Sequence, residues 1–220
     1  MKWLWWLLLF VVPLAFAATL DSTPGSALIA AAERGNVAEV QKLLDAGAPV
    51  NARDARGRNA VLAATQRSHA EAARVLIARG ADVNAQDDIR DSAFLLAGAR
   101  GHTEIVRAAL AAGANLKSTN RYGGTALIPA CHYGHVETVR VLLGSAIDVN
   151  HVNNLGWTAL LEAVILGDGG ARHTEIVKLL IAHGANVNLA DKQGVTPLAH
   201  AEQRGQRAIS AMLRAAGARL

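Results

Sequence analysis

Two short sequence markers return along the chain at a nearly constant interval, and this period constrains the fold more than any other feature. Val-Asn pairs begin at residues 50, 83, 149 and 187, and Leu116-Lys117 takes the missing place. The steps between positions 50, 83, 116, 149 and 187 are therefore 33, 33, 33 and 38 residues. Gly-Ala pairs keep the same rhythm at residues 47, 80, 113, 184 and 217, while the fourth unit has Ser145-Ala146. A fixed period of this length predicts a solenoid, in which each unit packs mainly on its neighbours.

Each unit reads as a polar turn followed by two short helices. A Ser, Thr or Asn two residues after the turn is expected to cap the first helix, because its side-chain oxygen accepts a hydrogen bond from a free backbone N–H. These predicted caps are Ser26, Asn59, Ser92, Thr125, Thr158 and Thr196. The first helix is expected to end at a residue that tolerates a left-handed backbone, and the second helix begins directly after it. These predicted ends are Gly35, Ser68, Gly101, Gly134 and Gly205.

This unit resembles the ankyrin repeat, and Asp191-Lys-Gln-Gly-Val-Thr-Pro-Leu198 gives the best match to the family pattern. The resemblance implies an all-α ankyrin repeat solenoid of about six helix-turn-helix repeats joined by β-turn or hairpin loops. The predicted repeats are residues 25–53, 54–86, 87–119, 120–152, 153–190 and 191–220. Arg90 stands where the family has a turn glycine, so this turn is expected to be strained or differently shaped.

The first residues are typical of a secretory signal peptide. A single Lys2 precedes 14 uncharged residues from Trp3 to Phe16, and the small residues Ala15 and Ala17 flank Phe16. This pattern predicts a signal peptide over residues 1–17, cleavage before Ala18, and a flexible leader over residues 18–24. The alternative is an uncleaved membrane anchor, for which the uncharged residues 3–20 barely reach the necessary length. The combination resembles bacterial exported ankyrin repeat proteins and implies a periplasmic location.

Charge and cysteine content give no reason to expect nucleic acid or a metal ion. The formal net charge of +4 is distributed without a block of like charges. Cys131 is the single cysteine, so no disulfide can form within the chain, and it is expected in the core. His69, His102, His135 and His173 occupy one place in successive repeats, which explains them without a metal. We expect no cofactor, no metal site and no nucleic-acid partner.

No catalytic motif is present, and we expect a binding protein instead of an enzyme. The sequence contains no Gly-x-Ser-x-Gly, no phosphate-binding loop and no His-Glu-x-x-His. The competing hypothesis is a hydrolase, for which Glu162, His132 and Asp168 are the acid–base candidates.

The resemblance also implies where a partner binds, since ankyrin proteins commonly use the turn tips and the exposed side of each first helix. Both tyrosines and the last tryptophan of the chain fall on this face in repeats four and five, as expected for an interface. The alternative is local packing between neighbouring turns. The predicted protein-binding residues are Arg56, Arg58, Arg67, Ile89, Arg100, Tyr122, His132, Tyr133, Leu155, Trp157, Ile165, Leu166 and Asp168.

Asp168 is included because it lies in a five-residue insertion between the two helices of repeat five. Loop insertions on one face of a solenoid often belong to binding sites, although an idle insertion is an equal alternative. The expected function is an exported scaffold or inhibitor that docks one protein on its concave face. Exported relatives include proteins linked to catalase and immunity partners of secreted toxins, and the sequence does not choose between them. A membrane-tethered binding subunit is the alternative if the signal is retained.

Overall fold

The structure is a computed structural model and describes residues 23–220, so the predicted signal peptide lies outside the described residues. This range contains twelve α-helices and no strand. The helices are α1 (Pro24–Glu33), α2 (Val37–Asp45), α3 (Ala60–Gln66), α4 (Ala70–Ala78), α5 (Ala93–Arg100), α6 (Thr103–Ala111), α7 (Leu127–His132), α8 (Val136–Leu143), α9 (Ala159–Ile165), α10 (Ala171–Ala182), α11 (Pro197–Gln203) and α12 (Arg207–Ala215). None of these helices has the length and apolar character needed to cross a bilayer.

The helices form two layers that run along the stack. Each first helix packs on the first helix of the next repeat, from α1 through α3, α5, α7 and α9 to α11, and the second helices make the same series. The first helices inside the stack are mostly buried: in α3 every residue from Ala60 to Thr65 is buried. Alanine at many of these positions lets the helices approach closely, and side chains such as Leu160 and Leu161 fill the space between layers. Each such leucine contributes roughly 1.5–3 kcal/mol through burial.

The predicted helix ends are confirmed. Gly35, Ser68, Gly101, Gly134 and Gly205 all have left-handed backbones, with φ between 65° and 73°. Arg90 also has a positive φ, of 63°, and its N–H still bonds to the Asp87 carbonyl at 2.9 Å. The turn therefore keeps the shape that its neighbours make with glycine, and Arg90 bears the conformational strain, as one of the two alternatives predicted.

Four of the six predicted N-caps are confirmed, and two are wrong. Asn59, Ser92, Thr158 and Thr196 each accept a backbone N–H three residues ahead. Thr23 caps α1 instead of Ser26, so Thr23 and Pro24 belong to the helix start and not to a flexible leader.

Thr125 makes no cap because Pro129 changes the first turn of α7. Proline has no N–H to bond the Thr125 carbonyl, and the helix begins only at Leu127. The N–H of Ile128 bonds the Thr125 carbonyl at 3.3 Å, and the buried Thr125 hydroxyl has no hydrogen-bond partner. The first helix of repeat four is thus the shortest of the twelve described.

The two periodic markers are the two ends of one contact between neighbouring repeats. The Asn51 side chain donates to the Gly80 carbonyl at 3.2 Å and accepts the Asp82 N–H at 2.7 Å. The same pair of bonds runs from Asn84 to the loop at Gly113, from Asn150 to that at Gly184, and from Asn188 to that at Gly217. At the one junction where Lys117 replaces asparagine, the facing loop is the one without a Gly-Ala pair. Both sequence irregularities therefore belong to a single missing contact.

Candidate partner-binding surface

A groove with a volume of about 930 Å³ runs across the turn tips and first helices of repeats three to five. Four large apolar side chains line it and remain exposed: Tyr122 at 54%, Tyr133 at 55%, Leu155 at 49% and Leu166 at 42%. Side chains of this size are usually covered in a folded protein, and their concentration in one groove is typical of an interaction site.

Local hydrogen bonds and ring contacts hold the two tyrosines in place. The Tyr122 N–H bonds to the Asn120 side chain at 2.9 Å, which fixes the turn tip, and the Arg121 guanidinium lies 4.7 Å from the Tyr122 ring centre. Tyr133 directly follows α7, and its ring stacks on His132 with ring centres 4.2 Å apart. Both rings are therefore oriented before any partner arrives, which lowers the entropy cost of binding.

The carboxyl group of Glu162 lies in the lining of the groove at the repeat-five side. Only 7% of Glu162 is exposed. Its Oε1 accepts a hydrogen bond from the Asn153 side chain at 3.0 Å, and its Oε2 lies 3.5 Å from Nδ1 of His132. Burial raises the pKa of Glu162 to about 7, against the smaller opposing effect of the Asn153 hydrogen bond. Burial also lowers the pKa of His132, so the imidazole is neutral near pH 7 and supplies no compensating charge.

A second carboxyl group lies on the repeat-three side of the groove. Asp91 is mostly buried, and its Oδ2 is 3.7 Å from the Arg121 guanidinium. Burial and the nearby charge of Asp87 raise the pKa of Asp91. Arg100 also lines the groove but donates to the Gln66 carbonyl at 2.6 Å, toward repeat two. The two arginines are thus directed to Asp91 and Gln66, and neither forms an ion pair with Glu162 among the described residues.

The structure brings together about half of the predicted binding residues. The groove lining includes Arg100, Tyr122, His132, Tyr133, Leu155 and Leu166. The other predicted residues lie outside it: Arg56, Arg67, Ile89 and Asp168 are exposed, Trp157 and Ile165 are half-buried, and Arg58 is buried. Sequence reasoning treated Glu162 only as an acid–base candidate and overlooked Asn153. The signal for Glu162 was a single acid within the apolar run Ala-Leu-Leu-Glu-Ala-Val-Ile.

The prediction that Arg58 presents its side chain to a partner is wrong. Arg58 is 5% exposed, and its guanidinium bonds Asp54 at 2.8 Å and Gln66 at 2.8 Å. Glu33 of the preceding repeat lies 3.4 Å away on the same guanidinium. The partners of Arg58 thus come from its own turn, from α3 and from the preceding repeat, and the side chain stabilises the fold.

The insertion in repeat five is ordered by its own side chains. Asp168 accepts the Gly170 N–H at 2.8 Å and lies 2.7 Å from Nδ1 of His173. Helix α10 begins at Ala171, so part of the insertion lengthens this helix instead of the loop. Glu175 consequently falls in the second turn of α10, whereas the corresponding glutamates of repeats one to four lie in the first turn. Gln206 of the last repeat donates to the Val164 carbonyl in α9 at 3.0 Å and to the Gly167 carbonyl at 3.4 Å, and the second bond ties the insertion to its neighbour.

The periodic histidines contact the preceding repeat. Nε2 of His102 lies 3.2 Å from the Ser68 hydroxyl, and Nε2 of His173 lies 2.9 Å from the His132 carbonyl. Within residues 23–220 no three metal-ligating side chains come together. Of the three acid–base candidates, Glu162 and His132 are adjacent, whereas Asp168 is bound to His173.

The paired helices stacked along the chain define a helical-repeat solenoid, and comparison with known proteins assigns the family. A sequence model described as ankyrin repeats matches in three copies, over residues 7–87, 88–153 and 147–220. The chain belongs to the ankyrin repeat family, a fold generally used for protein–protein interaction.

Several known proteins are similar to this chain. An ankyrin repeat domain from Acinetobacter baumannii AYE is 54% identical, with a TM-score of 0.85 over 87% of this chain and 98% of that domain. The ankyrin repeat protein EF0377 is 39% identical, with a TM-score of 0.83 over 86% of this chain and 97% of its own. The ankyrin repeat domain of Bcl-3, a member of the IkappaB family, is 28% identical, with a TM-score of 0.77 over 88% of this chain and 86% of its own.

A shorter match links the chain to the putative ankyrin repeat protein YahD of Escherichia coli K12. The two are 51% identical over 57 residues, which is 26% of this chain and 28% of YahD. The match therefore spans well under a third of either protein and supports the repeat assignment alone.

Proposed function

We propose that this protein is a binding scaffold or inhibitor that docks one partner protein in the groove of repeats three to five. The observation that carries the proposal is the exposure of Tyr122, Tyr133, Leu155 and Leu166 in one groove. Large exposed side chains on a rigid support give contact area at low entropy cost. The proposal is for binding and not for catalysis, since the third acid–base candidate, Asp168, is engaged by His173 and Gly170.

The Tyr122→Ala/Tyr133→Ala double variant is expected to lose the partner. Cross-linked pull-downs from the native host are compared between wild type and the double variant, and the captured protein is then purified for titration. Both rings are more than half exposed, so the fold survives while the contact area is removed. We expect the affinity to fall at least about tenfold, the usual effect of removing interface hot spots.

The matched control is Arg107→Ala, which removes an exposed side chain from α6, a second helix whose residue 107 lies outside the groove. The control should capture the same protein as wild type. A double variant that captures and binds the partner as well as wild type does would contradict the proposed surface. The resemblance to bacterial exported ankyrin repeat proteins would make the partner a catalase-linked protein or a secreted toxin.

We further propose that the protein is exported to the periplasm after removal of residues 1–17. The support is the sequence of those residues, with one lysine before an uncharged run and a small-residue cleavage site. Mass spectrometry of the protein recovered from its native host is expected to find Ala18 as the first residue. Recovery of an N-terminus that still contains Trp3 to Phe16 would overturn cleavage and favour the tethered form.

A further inference from the structure

We propose that the groove contains a subsite for an arginine side chain of the partner, formed by Glu162 with the exposed ring of Tyr133 beside it. This inference rests on the proposed function and specifies the chemistry of the segment that the groove accepts.

Glu162 is a buried acid whose second oxygen is left for a ligand. More than nine-tenths of the residue is buried, yet it lines the groove. Asn153 satisfies Oε1 at 3.0 Å, while the nearest cationic-type group to Oε2 is His132 at 3.5 Å, too long for a good hydrogen bond. A buried carboxylate without a cation is costly, and a cation that reaches it from the groove removes that cost.

Other partly buried acids of this protein have a partner of their own. Asp54 is paired with Arg58, and Asp191 lies 2.7 Å from Nε2 of His200. Asp91, in the same groove, faces Arg121. Glu162 has no arginine or lysine in contact among the described residues, and its imidazole neighbour, at 3.5 Å, is farther away than the one beside Asp191, which leaves a site complementary to a positive charge.

The aromatic surface beside Glu162 favours arginine over lysine. His132 lies between the two elements of the subsite: its Nδ1 faces Glu162, and its ring stacks on Tyr133 at 4.2 Å. More than half of Tyr133 is exposed, and it lines the same groove as Glu162. A planar guanidinium donates to a carboxylate in a fixed geometry and is less strongly hydrated than an ammonium group, so it is the better ligand for a buried acid beside aromatic rings.

The subsite is tested with N-acetyl-arginine amide as the probe, titrated into the protein at pH 8 and followed by NMR of the Glu162 side-chain carboxyl and the backbone amides. At this pH most Glu162 carboxyls are ionised. N-acetyl-citrulline amide, which has nearly the same shape without the charge, is the matched ligand control. We expect saturable shifts at Glu162, His132 and Tyr133 with the arginine probe and roughly tenfold weaker binding of the citrulline probe.

Glu162→Gln is expected to weaken arginine binding roughly tenfold or more, since glutamine keeps the size and loses the charge. Glu137→Gln, at an exposed site on α8, makes the same charge change outside the groove and should bind as wild type does. Circular dichroism checks that both variants keep the fold. Equal binding of the two probes, or unchanged arginine binding by Glu162→Gln, would overturn the subsite.

The two proposals fail in distinguishable ways. If the tyrosine double variant loses the partner while the arginine probe binds no better than the citrulline probe, the subsite is wrong and the docking surface stands. If the tyrosine double variant keeps its partner, the docking surface is wrong, and with it the assignment of the subsite to that partner.

Discussion

Replacing Arg58 by alanine is expected to lower the free energy of unfolding by about 3 kcal/mol or more. Arg58 is 5% exposed, and its guanidinium bonds Asp54 and Gln66, with Glu33 of the first repeat 3.4 Å away. Removing it leaves Asp54 without its cation, leaves Glu33 with Arg67 alone at 3.1 Å, and leaves the Gln66 side chain without its donor. The measurement is urea unfolding followed by circular dichroism at pH 7.

The matched control is Arg56→Ala, two residues earlier in the same turn, where the side chain is exposed. Its effect should stay within about 0.5 kcal/mol, as for other surface positions. Equal unfolding midpoints for the two variants would show that the burial of Arg58 contributes nothing to stability.

The effect of Arg58 should also depend on pH in a defined direction. A hydrogen bond from Arg58 lowers the pKa of Glu33, and burial opposes it. Burial is the largest single effect on Asp54 and raises its pKa, but the backbone and side-chain hydrogen bonds from Arg58 and the backbone hydrogen bond from Arg56 together outweigh burial, so the pKa of Asp54 is lowered. A lowered folded-state pKa stabilises above the unfolded pKa, and this stabilisation is lost as the pH falls through the folded pKa. The difference between wild type and Arg58→Ala should therefore shrink below about pH 4, near the unfolded carboxyl pKa values.

Gly98→Ala is expected to destabilise the stack by about 2 kcal/mol, an effect opposite in sign to helix propensity, which favours alanine by about 1 kcal/mol. Gly98 is buried in α5, and an added Cβ would lie 2.8 Å from both the Cβ and the carbonyl oxygen of Ala126. The contact is with backbone, so relief requires repeats three and four to separate. Thermal and urea unfolding measure the loss.

The control for Gly98→Ala is Gly144→Ala. Gly144 follows α8 with φ of −72°, and an added Cβ would meet only ordinary contacts of 3.4 Å and longer. This substitution should be neutral or stabilising by about 0.5 kcal/mol. If Gly98→Ala is as stable as the control, α5 and α7 are packed less closely at Ala126 than the structure shows.

The sequence determined the repeat and its local backbone. The 33-residue period can be read directly from the chain. The left-handed helix ends at Ser68 and its glycine counterparts and four of the six caps follow from interactions within a few residues of the chain. Where a local rule failed, another residue nearby was the cause, as with Pro129 at the start of α7. The exposure of Tyr122 and Tyr133 was also predictable, because the repeat pattern places both on turn tips or helix ends.

Only the tertiary structure decided which turn residues face a partner and which face the next repeat. The sequence alone predicts that Arg58 is exposed. The structure places Glu33, 25 residues earlier in the chain, in contact with it. Glu162 reads as an interruption of an apolar helix until Asn153 and His132 place its carboxyl in the groove. The burial and pairing of Arg58 and Glu162 depend on side chains from other elements. A repeat pattern predicts where each helix and turn lies along the chain, but it does not predict which side chains come into contact when the repeats stack.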